Sequence, residues 1–289
     1  MRLSIEGARR GGYPVLGPIT LEIVAGEVVA LLGPSGIGKT TLLRLVAGLD
    51  PAPRGAVTGT GRLGMVFQEP TLLPWRSALA NVALAADCDA ASARTMLARV
   101  GLGGREDAFP RALSLGQQRR VALARAFAAE PETLLMDEPF VSLDPAASEE
   151  MQTLLSGLLA DRPARVLMVT HSGDEALRLA DRIAIMKDGA VEQCDRPDRI
   201  VMEPATEYVA KFIEDIEKAR VVHARAMMQP VNGHDLGGTA VEGDKTISQL
   251  ARLLINDDRV ILPVAGPDGT IIGGLDRQKA LDVLLGASE

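Results

Sequence analysis

Eight consecutive residues, Gly33-Pro34-Ser35-Gly36-Ile37-Gly38-Lys39-Thr40, match the spacing G-x-x-x-x-G-K-[ST]. The chemistry of that spacing is phosphate binding. Glycines let successive backbone N–H groups curl around an anion at a helix N-terminus, where the helix dipole also favours negative charge. Lys39 is the group to reach terminal phosphates, and the Thr40 hydroxyl, with Thr41 beside it, is suited to a magnesium ion shared with them. A second element, Leu134-Leu135-Met136-Asp137-Glu138, ends an apolar run in two carboxylates. Asp137 is placed to help hold Mg²⁺, and Glu138 to polarise a water for attack on the outermost phosphate. Together they point to binding and hydrolysis of a nucleoside triphosphate.

These groups need a scaffold that delivers them to one edge. Glu27–Leu32 is a short, nearly all-apolar run ending at Gly33, as a buried parallel strand would be, and a helical pattern follows from Lys39 to Ala47. Similar runs recur at Leu63–Phe67, Thr133–Asp137, Val166–Thr170 and Ile183–Lys187, with helical segments at Gln117–Ala129, Ala146–Leu159 and Asp174–Leu179. The alternation predicts an α/β domain with a mostly parallel sheet. Residues from about Pro70 to Glu130 are Ala-rich and helical and read as an insert. An amphipathic helix over Glu207–Lys218 is expected to close a first domain spanning 1–218. A small α+β domain then occupies 219–289, with strands at Thr239–Glu242, Val260–Val264 and Thr270–Ile272 and helices at Ile247–Leu254 and near Arg277–Leu285.

Composition narrows the class further. The 289 residues carry 31 basic and 38 acidic side chains, a net charge of −7, which argues against a nucleic-acid partner. Apolar residues make up 47% of the chain, enough for a packed core, although aromatics contribute only 3%. Two distant cysteines, Cys88 and Cys194, suggest reduced thiols rather than a disulfide framework. No apolar run reaches the ~18 residues of a membrane span, and no leader peptide is evident, so a soluble intracellular chain is expected.

Further motifs lie in order along the same stretch. Leu113-Ser114-Leu115-Gly116-Gln117, continued by Gln118-Arg119-Arg120-Val121-Ala122-Leu123-Ala124-Arg125-Ala126, resembles the signature motif of ABC transporter ATPases. Gln68 after Met65-Val66-Phe67, Asp144 in Ser142-Leu143-Asp144, and His171 in Val169-Thr170-His171 fit the same family order. The resemblance covers roughly residues 1–215. It implies ATP and Mg²⁺ as ligands and a head-to-tail homodimer in which Ser114, Gly116 and Gln117 meet the partner subunit's nucleotide. It further implies that Gln68 senses Mg²⁺ and the attacking water, that His171 contacts the γ-phosphate, and that Asp144 couples the two sites. Tyr13 is either an adenine-stacking residue or an ordinary aromatic of the N-terminal sheet. In one departure from the family, Leu115 stands where the signature's middle glycine is usual.

A single ATPase domain without a membrane span resembles an importer subunit working at the cytoplasmic face of the plasma membrane. The partners that resemblance implies are a permease and a periplasmic or lipid-anchored solute-binding protein. Phe67-Gln68-Glu69-Pro70-Thr71-Leu72-Leu73-Pro74-Trp75 is similar to the nitrate, sulfonate and taurine branch, with Trp75 a candidate permease contact. The tail pulls another way. Its β-α-β-β-α order and Met228-Gln229-Pro230-Val231 lead-in look like one CBS repeat, as in quaternary-amine importers, where such tails regulate transport. Aligned from Gly273, the nucleotide-binding positions of a CBS repeat hold Asp276 and Lys279, so the tail is a dimerisation module or a ligand site. A non-transport ABC ATPase in a soluble assembly is a third alternative.

Overall fold

The computed structural model describes residues 1–10, 12–50, 54–214, 216–230 and 238–286. They divide into two compact units, Met1–Cys194 and Asp195–Glu289.

The first unit contains two sheets. In the antiparallel one, β1 (Arg2–Arg10) pairs with β2 (Tyr13–Leu16), β3 (Ile19–Glu22) and β5 (Arg54–Thr58), the last following the nucleotide-loop helix in the chain. Leu3 and Ile5 are buried while Arg2, Ser4 and Glu6 are exposed, the period of two expected of a sheet with one covered face. The larger sheet draws on β4 (Val28–Leu32), β6 (Leu63–Val66), β7 (Thr133–Asp137), β8 (Arg165–Val169), β9 (Arg182–Lys187) and β10 (Ala190–Asp195), in the order β10-β9-β4-β8-β7-β6. From β9 to β6 neighbouring strands are parallel. Its central strands are buried on both faces, so their sequences are unbroken apolar runs. Helix α1 (Lys39–Val46) supplies Leu42, Leu43, Leu45 and Val46 to one core, together with Leu3, Ile19 and Leu21 of the small sheet and Leu31, Leu135 and Leu167 of the large one. Truncating Leu42 or Leu43 to alanine would cost about 2–5 kcal/mol.

Between β6 and β7 lies the helical insert: α2 (Ala78–Ala86), α3 (Ala90–Arg99), a 3₁₀ turn at Pro110–Ala112 and α4 (Leu115–Ala128). Helices α5 (Pro145–Asp161) and α6 (Gly173–Leu179) complete the unit.

The second unit begins earlier than the boundary expected at Lys218. Helices α7 (Pro197–Met202) and α8 (Glu207–Phe212) precede α9 (Lys218–Val221) and α10 (Ala224–Met227), and α7 packs on α9, so this stretch belongs with the tail. The single helix expected over Glu207–Lys218 is instead the six-residue α8, capped by the Thr206 hydroxyl on Val209 N. The tail sheet has the order β11-β14-β13-β12, from β11 (Met228–Gln229), β12 (Val241–Glu242), β13 (Ile261–Ala265) and β14 (Ile271–Asp276). Helices α11 (Ala251–Asn256) and α12 (Arg277–Leu285) complete the β-α-β-β-α order. Val231 of the expected lead-in lies outside the described residues.

Candidate functional site

Because β4, β6, β7 and β8 run parallel, the loops after all four leave from one edge of the sheet, the place where open α/β sheets bind ligands. Those loops carry Gly33–Thr40, Gln68, Asp137 with Glu138, and His171.

The first loop depends on two glycines. Gly33 has φ 153°, and a Cβ there would stand 2.9 Å from the Met186 carbonyl. Gly38 has φ 108°, and a Cβ there would meet Leu16 Cδ2 at 2.6 Å and the Val15 carbonyl at 3.0 Å. Strand β2 therefore abuts the loop, which places Tyr13, 77% exposed, on the strand beside it. Pro34, Ser35 and Gly36 form the exposed tip, while Ile37 is half-buried. Gly38 supplies no capping side chain to α1, so the helix begins with backbone N–H groups available to an anion.

Lys39 is 5% exposed, and its Nζ donates to the carbonyls of Gly33 at 2.6 Å and Pro34 at 2.9 Å. Burial holds its pKa below the ordinary lysine value, against the pull of Glu138 and Asp137. The Thr40 hydroxyl donates to Asp137 Oδ1 at 3.0 Å, joining elements 97 residues apart. Burial raises the Asp137 pKa, opposed by that hydrogen bond and by Lys39 and Arg44 and reinforced by Glu138. A buried carboxylate beside a hydroxyl is short of positive charge, which fits a divalent cation shared with phosphate oxygens. Among the described residues no group of three or more His, Cys, Asp or Glu could hold a metal without such help.

Glu138 follows in the left-handed region, φ 45°, with its N–H donating to the Val169 carbonyl at 2.9 Å. Such strained backbone concentrates where a side chain must be aimed. Its carboxylate Oε2 lies 3.5 Å from His171 Nδ1. Around His171, the Thr170 hydroxyl donates to Glu175 at 2.5 Å and accepts from Ser172 N at 3.0 Å, while Glu175 N donates to Ser172 Oγ at 3.3 Å. Burial raises the Glu175 pKa, partly offset by Thr170 and His171. This ring, invisible as a motif, ties the histidine's loop to its own helix. Gln68 is exposed on the loop leaving β6.

The signature residues lie at the start of α4, in the helical insert. Ser114 is the N-cap of α4: its Oγ accepts from Gln117 N at 3.2 Å, and Gln117 Oε1 accepts from Ser114 N at 3.0 Å. The S-x-x-Q spacing is thus also a capping box. Leu115 and Gly116 open the helix, and Leu115 is exposed rather than packed inside. Asp144 caps α5, its Oδ1 accepting from Ala147 N at 3.0 Å. A cleft of about 350 Å³ lies between Ser114, Gly116, Gln117, Leu143 and Ala147.

Two residues hold the loop before α2. Half-buried Arg125 donates to Pro70 O at 3.0 Å and Thr71 O at 2.9 Å. Asn81, 2% exposed, accepts from Leu73 N at 2.7 Å and donates to the carbonyls of Leu73, Arg76 and Ser77 at 3.0–3.2 Å. Between these anchors Trp75 stands 70% exposed. In the tail, Asp276 caps α12 by accepting from Gln278 N and Lys279 N, so its carboxylate is already engaged.

A sheet edge carrying this glycine loop and the two carboxylates at the end of β7 defines a P-loop ATPase. A family model described as ABC transporter matches residues 16–141. The trimethylamine N-oxide transport system ATP-binding protein TmoW of Ruegeria pomeroyi is 46% identical, over 99% of this chain and 90% of its own. The aliphatic sulfonates import ATP-binding protein SsuB 3 of Paraburkholderia xenovorans is 47% identical, over 68% of this chain and 82% of its own. Among solved structures, the ATP-binding cassette MJ0796 in a dimeric post-hydrolysis state bound to ADP and Pi superposes with a TM-score of 0.58 at 30% identity, covering 67% of this chain and 96% of that one. The chain belongs to the ABC transporter family, as an ATP-binding subunit of importer type whose ATP hydrolysis is coupled to transport.

Proposed function

We propose that this chain powers uptake of a small amine-oxide or quaternary-amine solute, working as a head-to-tail homodimer on a separate permease at the cytoplasmic face of the plasma membrane. The carrying observation for the solute is the length of the match. The trimethylamine N-oxide relative aligns over 99% of the chain, tail included, whereas the sulfonate relative leaves about a third unmatched. An aliphatic sulfonate remains the second reading, on the strength of 47% identity over the part that does align.

In this reading Gly33–Thr41 cradle the phosphates, and Lys39 turns from the Gly33 and Pro34 carbonyls toward the terminal ones. Thr40, Asp137 and Gln68 hold Mg²⁺, which supplies charge neutralisation at the phosphates. Glu138 orients water and accepts its proton, with His171 placing the γ-phosphate beside it. Ser114, Gly116 and Gln117 complete the partner's site from the start of α4, where N–H groups and dipole favour an anion. Asp144 links the two sites, and Tyr13 stacks on adenine from the strand beside the loop. The dimeric state of the related cassette supports the two-subunit arrangement. The pinned loop carrying Trp75 docks the permease. The tail is a CBS-like module that pairs with its counterpart, since Asp276 is taken up in capping α12.

The test is purification of the chain from detergent-solubilised membranes with its partners. Recovery of a permease and a binding protein that takes trimethylamine N-oxide or glycine betaine supports the proposal. A binding protein selective for taurine or alkyl sulfonates overturns the solute assignment, and soluble partners alone overturn the importer.

A further inference from the structure

Helix α4 carries a buried guanidinium that neither phosphate binding nor packing accounts for. Arg119 is 7% exposed, and its Nη1 donates to the Pro139 carbonyl at 3.2 Å. Among the described residues its Nε is buried without a hydrogen-bond partner and it makes no ion pair. Its neighbours are apolar: Phe67 and Pro70 on either side of Gln68, Met136 and Phe140 around the Asp137–Glu138 pair, and Met151 and Leu155 of α5. An unpaired cation in such surroundings is less favourable than an apolar side chain of equal length. Packing alone would therefore select methionine at this position. What arginine adds is one directional bond, between α4 and the backbone next to Glu138.

The position of that bond matters. Arg119 lies five residues after Ser114 on one rigid helix, and its acceptor is the residue directly after Glu138. In the homodimer proposed above, on which this inference rests, Ser114 serves the partner's nucleotide and Glu138 serves the subunit's own. We propose that Arg119 is a positioning residue that couples the two nucleotide sites, conveying displacement of α4 to the Glu138 loop through the Pro139 carbonyl. Coupling of this kind requires a rigid element and a contact that both sites bias.

The experiment compares full-length wild type with Arg119→Met and Arg119→Lys for thermal midpoint, ATP Kd, kcat and the Hill coefficient of ATP hydrolysis. Arg119→Met is expected to keep or raise the midpoint, hold Kd within about twofold, lower kcat about tenfold and bring the Hill coefficient toward 1. Arg119→Lys, which keeps a donor of similar reach, is expected to recover most of kcat and cooperativity. A cooperative wild type with an equally cooperative, equally fast Arg119→Met overturns the coupling role. So does an Arg119→Met whose midpoint and kcat fall while Kd rises in step, which is the mark of a structural residue. A wild type that hydrolyses ATP without cooperativity fails the two-site reading itself and takes the coupling with it.

Discussion

Glu138 and His171 leave the ends of adjacent parallel strands and face each other, Oε2 to Nδ1 at 3.5 Å. The pair is held from behind: Glu138 N bonds the Val169 carbonyl, two residues before the histidine. Glu138→Gln is nearly isosteric and keeps that backbone bond, so the loop should stay in place. Turnover is expected to fall by about 10²–10⁴ while ATP binding persists. Steady-state hydrolysis with size-exclusion chromatography in ATP checks this, with an ATP-stabilised dimer as the expected species.

Lys39 is a buried cation within the electrostatic reach of Glu138 and Asp137. Lys39→Ala removes the charge that faces the terminal phosphates, and ATP affinity is expected to drop at least tenfold, a loss of about 1.4 kcal/mol. Titration of a fluorescent ATP analogue measures it. Undiminished affinity would remove the glycine loop from the binding site.

The head-to-tail arrangement makes a geometric prediction. In a background lacking Cys88 and Cys194, Ser35→Cys and Ser114→Cys together are expected to form an intermolecular disulfide in the presence of ATP. That requires Cα atoms of two subunits within about 7 Å. Non-reducing electrophoresis reads the outcome, and a double variant that stays monomeric with ATP bound would rule the arrangement out.

Much of this was legible beforehand, for a physical reason. Phosphate chemistry restricts residue types over short contiguous spans, so Gly33–Thr40 and Asp137–Glu138 declare themselves, and strands buried on both faces read as unbroken apolar runs. Other features depend on partners distant in the chain. Strand β5 is largely exposed and has no apolar pattern to announce it, being recruited by pairing with β1. The unit boundary at Cys194 follows from α7 packing on α9, which no local composition shift marks. Arg119 and Arg125 look alike on a helix, yet one reaches Pro139 and the other Pro70 and Thr71. The order of the tail elements is readable, but β12 and α11 are shorter than the pattern suggests, while β14 runs on to Asp276, past the expected end at Ile272.

Asn81 offers a stability test within the insert. It makes four hydrogen bonds to backbone groups of residues 73–77 from a buried position. Asn81→Ala leaves those groups short of partners and is expected to cost about 1–3 kcal/mol, measured by urea unfolding. Because the bonds of Asn81 go to residues 73–77 and to none of the phosphate-loop residues, ATP affinity should change little while permease-stimulated hydrolysis falls.

The tail has its own acid dependence. Arg259 bonds both carboxylate oxygens of Asp257, at 2.9 and 2.6 Å, and holds its pKa at about 2 against an ordinary 3.8. The folded state thus binds fewer protons than the unfolded chain, so this stabilisation is complete above 3.8 and is lost as pH falls through about 2. Asp257→Asn is expected to lower the urea midpoint of the tail at neutral pH, with the gap to wild type closing on acidification. A gap that is constant or widens toward acid would contradict the pairing.

Trp75 is the only tryptophan in the chain, set against two tyrosines, and it projects from a loop anchored on both sides. Excitation at the red edge of indole absorption therefore addresses a single surface point without any label. Its emission should be red-shifted and readily quenched by iodide in the isolated subunit. Seating against a permease would shift it to the blue and shield it, so assembly of the transporter can be followed in real time by light from the native protein.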